Sequence, residues 1–155
     1  MAVFKRKHSQ YAKHGAKRPA APGKPQNDAL VETMVIAACV DGLLSPGESD
    51  ALATQIFATP GFEHLDNKQL ARTVEAAATR VASEGIAGRV SAIGHALGRG
   101  TALGEEAFLL ATLFVLFDGE VGEEEQEFLD LLQRQLGVTD ERASHLTALL
   151  ADSQN

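Results

Sequence analysis

Apolar residues recur along this chain at intervals of three and four, in blocks separated by short runs of Gly, Pro, Ser, Asn and Asp. That spacing is the mark of helices with one buried face. Leu30, Val31, Met34, Val35 and Ala38 predict a first helix. It starts at Asn27 or Asp28, both good N-caps, and closes at Asp41-Gly42, where glycine can turn left-handed. Ser45-Pro46-Gly47-Glu48 is a capping box with proline in the first turn. It opens a second helix, buried along Leu52, Ile56 and Phe57, that stops near Thr59-Pro60-Gly61. Asp66-Asn67-Lys68-Gln69 starts a third, with Leu70, Val74, Ala77, Ala78 and Val81 on one face, and Gly85 ends it. A fourth runs over 86–97, where Gly88, Ala92, Gly94 and Ala96 leave so little bulk that a neighbour can approach closely. A fifth, 105–117, is apolar nearly all round and is expected at the centre. The sixth begins at Glu123, Glu124 and Glu125, whose charges suit the positive end of a helix. Phe128, Leu129, Leu131, Leu132 and Leu136 form its inner face, and Gly137 closes it. The last starts at Thr139-Asp140 and carries Leu146, Leu149 and Leu150. No alternating strand pattern of useful length appears, so the expected class is all-α, a bundle of about seven helices.

Two of these corners repeat one another. Asp41-Gly42-Leu43-Leu44-Ser45-Pro46-Gly47-Glu48 and Asp118-Gly119-Glu120-Val121-Gly122-Glu123-Glu124-Glu125 both read Asp-Gly-x-aliphatic-x-x-x-Glu, 77 positions apart. An apolar run leads into each, and Leu52 after the first matches Leu129 after the second. The chain thus reads as a duplicated helix–corner–helix unit.

Charge divides the chain into two parts. The net charge is −7. Residues 1–26 hold basic residues (Lys5, Arg6, Lys7, Lys13, Lys17, Arg18 and Lys24) and no acidic ones, so all the carboxylates fall in 27–155. Pro19, Pro22, Gly23 and Pro25 break helical order near the end of the basic stretch. Residues 1–26 therefore read as a disordered tail, either a solubilising leader or a contact for an anionic surface (membrane headgroups, nucleic acid or an acidic partner), and 27–155 as one domain. No sequence-specific contact with nucleic acid is expected. Cys39 is the one cysteine, which excludes an intrachain disulfide and any Cys-x-x-Cys zinc site. The longest apolar run, Ala107–Phe117, is about half a membrane span, and no secretory leader is visible. A soluble, cytoplasmic protein is expected.

Chemistry concentrates at the twin corners. In the first, capping accounts for Ser45 and Glu48. In the second, Gly122 stands in the N-cap position, so no capping box is expected to need Glu125, yet Asp118 and Glu125 keep their spacing. Glu120, Glu123 and Glu124 crowd it further. Carboxylates gathered this densely call for a cation or a basic partner, and oxygen-only ligands select Ca²⁺, Mg²⁺ or Mn²⁺. A regular EF-hand loop is excluded, because its earlier ligand positions fall on Ala37 and Cys39 in one copy and on Phe114 and Leu116 in the other. His8 and His14 in the tail, and His64, His95 and His145 elsewhere, show no shared spacing. Ser45 has no base to activate it, and no nucleophile with base and orienter is present, so a non-catalytic role is expected.

The stretch from Ala37 to Glu48, its echo from Leu116 to Glu125, and the turn Leu136-Gly137-Val138-Thr139 resemble the TerB family of tellurite-resistance proteins over about residues 28–150. That resemblance implies a compact domain of about seven helices with an acidic site for a divalent metal, Ca²⁺ foremost. It also implies a place in bacterial stress systems, beside membrane-associated or chaperone-like partners at the inner face of the membrane. Carried over by position, the metal-binding residues are Asp41, Glu48, Asp118 and Glu125, with Glu120 and Glu124 as additions. The chain departs from the family pattern at Cys39 and Val40, and at Gly47, where a second glutamate often sits. The first corner is thus poorer in carboxylate. Metal-independent docking of a basic partner on the acidic face is the alternative reading, with the basic tail serving anionic partners.

Overall fold

A computed structural model describes residues 23–40, 46–59, 61–62, 65–116 and 121–154. They form six helical elements: α1 (Lys24–Cys39), α2 (Pro46–Ala58), α3 (Asn67–Leu97), α4 (Ala102–Val115), α5 (Glu123–Leu136) and α6 (Asp140–Gln154). Among the described residues there is no strand, and the all-α class holds.

The helix ends follow local chemistry. α1 begins earlier than the pattern predicts. Gly23, extended at φ −76° and ψ 176°, is the N-cap, and Pro25 sits in the first turn, where its missing N–H has no intrahelical role. The proline therefore starts the helix instead of breaking it. α3 opens on a complete capping box: Gln69 N–H donates to Asp66 Oδ1 at 2.7 Å, and Asp66 N–H donates to Gln69 Oε1 at 3.0 Å. Gly85 departs from helical geometry (φ 82°, ψ 159°), but the helical run continues beyond it. The expected third and fourth helices are thus two arms of one broken element, 67–84 and 86–97. α4 starts at Ala102 because Thr101 caps it, taking the Gly104 N–H on Oγ1 at 3.0 Å. α5 closes on Gly137, left-handed at φ 68°, with Val138 N–H donating to Gln133 O and Gly137 N–H to Arg134 O. Thr139 caps α6 through its hydroxyl, which accepts from Arg142 N–H at 3.1 Å.

α1 and α4 are the centre. Ala29 through Ala38 of α1 are all buried, and α4 is buried from Leu103 to Val115 except at Glu105. α1 packs on α2, α3 and α4; α5 packs on α3 and α4; α6 rests on α4. Leu30, Met34, Ile36, Leu52, Ile56, Ile93, Leu132, Leu136 and Leu146 are the large side chains sealed in between. Burying one such side chain contributes about 2 kcal/mol. Ala78, expected inside, is exposed, and Leu131 and Leu149 are only half-buried.

Small residues do permit close approach, at one of the expected places. A Cβ on Gly94 would lie 2.7 Å from the carbonyl oxygen of Gln135, so α3 and α5 touch backbone to backbone. At Gly88 the nearest atom would be Glu84 Cβ at 3.9 Å, so that glycine faces open space. The loop before α4 clasps the end of α5: Gly100 N–H donates to Leu136 O at 2.9 Å, and Arg99 Nη1 to Arg134 O at 2.7 Å. Arg142 completes the closure with a two-pronged pair to Glu105, at 2.8 and 2.9 Å.

Candidate functional site

The fold sets each corner between two helices. The first lies between the end of α1 and the start of α2, the second between the end of α4 and the start of α5. Asp41, Asp118 and Glu120 lie outside the described residues, as does the side chain of Glu48. So do Lys5, Arg6, Lys7, Lys13, Lys17 and Arg18, the residues expected to meet an anionic surface. The part of the site that is described is the first turn of α5.

Gly122 is the N-cap there, extended at φ −73° and ψ 166°. Glu123 and Glu124 are exposed. Glu125 is 8% exposed and turned back on its own helix: its Oε1 accepts the Gly122 N–H at 2.8 Å. This corrects the expectation that no cap needs Glu125. The reciprocal half of a capping box requires only the backbone N–H of the N-cap residue, which glycine supplies as well as serine does. The spacing of Glu125 from Gly122 is therefore the spacing of a cap. Glu123, Glu124 and Glu125 also lie in the first turn of α5, at the positive end of its dipole.

Glu125 commits one oxygen to the backbone and keeps Oε2, and Glu124 stands beside it. Both are carboxylates, the ligand type that Ca²⁺ and Mg²⁺ take. Among the described residues alone, no group of three or more His, Cys, Asp or Glu converges on a metal position. Nor does any described helix have the length and apolar character to cross a membrane.

The remaining reactive side chains have structural settings. Cys39 is half-buried at the end of α1, and its Sγ lies 2.8 Å from Val35 O. His95 and His145 are exposed on different helices, and His64 lies outside the described residues.

A set of buried polar groups has no counterpart among the expected residues. Glu32, 1% exposed in the middle of α1, takes Arg89 Nε on Oε2 at 2.5 Å and Arg89 Nη2 on Oε1 at 2.9 Å. Arg80 Nε joins Oε1 at 3.1 Å. Arg89 also holds Glu84 at 3.1 Å. The bonds from Glu32 hold the Arg89 guanidinium above even the usual arginine range, against the opposing pull of burial. Gln55 of α2, 2% exposed, donates Nε2 to Leu110 O of α4 at 3.2 Å while its Oε1 has no partner. Glu106 of α4 is buried as well. The signal for Glu32 was partly available in the sequence, since it sits between Val31 and Met34-Val35-Ile36 in an apolar run, whereas Glu106 follows Glu105 directly and does not stand out.

Comparison with known protein families, curated proteins and solved structures finds no match for the chain.

Proposed function

We propose that the chain is a non-catalytic, TerB-like module that binds a divalent cation, Ca²⁺ by preference, with Mg²⁺ or Mn²⁺ as substitutes. Asp41, Glu48, Asp118 and Glu125 are the ligands in this reading, with Glu120 and Glu124 beside them. One observation carries it. Shifting α1 and α2 by the 77 positions that separate the two corners lands within one residue of both ends of α4 and of α5. The repeat in sequence is thus matched by a repeat in helix boundaries on both sides of each corner, as duplicated units require. The Gln55–Leu110 bond ties α2 of one unit to α4 of the other, which supports packing of the two units against each other. The setting we assign is a bacterial stress-response system of the tellurite-resistance kind, in the cytoplasm at the inner face of the membrane.

The test is titration with Ca²⁺ and Mg²⁺ by calorimetry and thermal melting, on the wild type and on Asp41→Asn/Asp118→Asn. Binding at a hundredfold excess over Kd adds about 2.7 kcal/mol to stability. The gain should vanish in the double variant.

The capping role of Glu125 favours a second reading: a metal-independent interaction module. In it the exposed acids of α5 (Glu123, Glu124, Glu127 and Asp130) dock a basic protein partner. The tail residues Lys5, Arg6, Lys7, Lys13, Lys17 and Arg18 meet anionic membrane. No heat and no melting shift with any divalent ion would select this reading.

A further inference from the structure

α1 is buried on every side over ten consecutive residues, Ala29 to Ala38. A helix in a bundle this small ordinarily keeps one face wet, so α1 needs cover on the sides that α2 and α4 leave open. The first arm of α3, residues 67–84, supplies it. Its start lies beside the start of α1, where Asn27 and Asp28 share the walls of one hollow with Gln69, Arg72 and Thr73. Further along, Arg80 reaches Glu32.

This cover is lightly held. Within the arm only Leu70 and Ala77 are buried, with Val74 and Val81 half-buried. The second arm buries Val90, Ile93, Gly94 and Leu97 and abuts α5. Between the arms stands Gly85, at a φ of 82° that side-chain-bearing residues rarely adopt, with no atom within 4 Å of where a Cβ would stand. The polar fastening of the arm to α1 is asymmetric too, while the Arg89–Glu84 pair, 3.1 Å long, joins the two arms beside the hinge. Arg80 gives Glu32 a single bond, and its side chain is 34% exposed. Arg89, on the arm that stays, gives one bond to each carboxylate oxygen. When the first arm swings out, Arg80 passes into water and both oxygens of Glu32 keep a donor. Opening therefore strands no buried charge, which is the usual reason that breaking a buried pair is costly.

We propose that the first arm of α3 is a hinged cover over α1: it turns at Gly85, is latched by Arg80 on Glu32, and opens as a unit while the rest of the bundle stays folded. Native-state hydrogen exchange on the full chain tests this. Amides of 70–84 should exchange as one block, about tenfold or more faster than those of 90–97 and of α4. Arg80→Ala weakens the closed state against the open and the unfolded states alike, so it should speed that block and the slowest amides of α4 by the same several-fold factor. Equal protection of the block and α4 in the wild type would overturn the proposal, whatever the variant does. So would an Arg80→Ala variant in which α4 speeds and the block of 70–84 keeps its wild-type rate.

Discussion

Gly94 of α3 and Gln135 of α5 meet with no side chain between them. A Cβ on Gly94 would stand 2.7 Å from the Gln135 carbonyl oxygen and 3.1 Å from its carbonyl carbon. Both atoms belong to backbone held in a helix, and the end of that helix is clasped by Arg99 and Gly100. Neither side can give way locally. Gly94→Ala should therefore destabilise the protein by about 2 kcal/mol through overpacking. Gly88→Ala, six residues earlier, should stabilise it by about 0.5–1 kcal/mol, because the new methyl enters open space and removes backbone freedom from the unfolded chain. Urea midpoints for the two variants, with unchanged slopes, check the opposite signs.

Glu32 carries the second prediction. It has 2% of its side chain exposed and lies between Arg80 and Arg89, the latter only 16% exposed. Glu32→Gln removes the charge and leaves two guanidiniums facing one neutral oxygen, so a loss of about 3 kcal/mol is expected. Arg80→Ala should cost nearer 1 kcal/mol, since the fork of Arg89 still satisfies the carboxylate. The raised Arg89 pKa determines the pH behaviour. Stability from a raised basic group is complete below its unfolded pKa and is lost only above it, beyond about pH 12 for arginine. Arg89 therefore adds no slope to stability between about pH 6 and 10. Unfolding titrations of wild type and Glu32→Gln across that range should run parallel.

The helices were legible in the sequence because their periodicity and punctuation are local. Asp66 and Gln69 announce the start of α3, Gly137 announces the end of α5, and Gly85 announces the break, all within four residues of the feature they control. The starts of α1 and α4 were missed for the same reason read in reverse. Pro25 looks like a breaker until it is placed in a first turn, and Thr101 looks like part of a glycine loop until Gly104 N–H finds its hydroxyl. The Glu32 network is another matter. Its arginines lie 48 and 57 positions away, and no helical pattern relates them. Only the packing of α3 on α1 brings them together. At the corners, the acidic spacing was visible, but the role of Glu125 as a cap depended on seeing that a glycine N-cap still offers its N–H.

Glu125 allows the cap and the cation to be separated. Glu125→Ala deletes the acceptor for the Gly122 N–H and should cost about 1 kcal/mol with or without metal. Glu125→Gln keeps an oxygen for that N–H and loses only the charge, so it should stay within about 0.5 kcal/mol of wild type in the absence of metal. If the corner binds Ca²⁺, the same conservative variant should lose most of the calcium-induced rise in Tm, since a neutral amide is the poorer ligand. An unaltered calcium response in Glu125→Gln would remove Glu125 from the ligand set and leave it as a cap.

Gln55 makes a prediction of unusual sign. Its Nε2 bonds Leu110 O at 3.2 Å, but its Oε1 is buried without a partner. Leaving a buried acceptor unsatisfied costs about 1–3 kcal/mol, while one neutral bond contributes about 1 kcal/mol. The amide as a whole is therefore close to neutral or a net cost. Leu110 O sits within α4 and keeps its helical bond when the side-chain donor is lost. Gln55→Met, which retains the length of the side chain and removes both polar atoms, should leave stability unchanged or raise it by about 1 kcal/mol. Gln55→Ala removes the same polar atoms but empties the space between α2 and α4, and should cost about 2–3 kcal/mol. A marked loss in the methionine variant as well would mean that Oε1 is satisfied in solution, by a buried water held between the two helices.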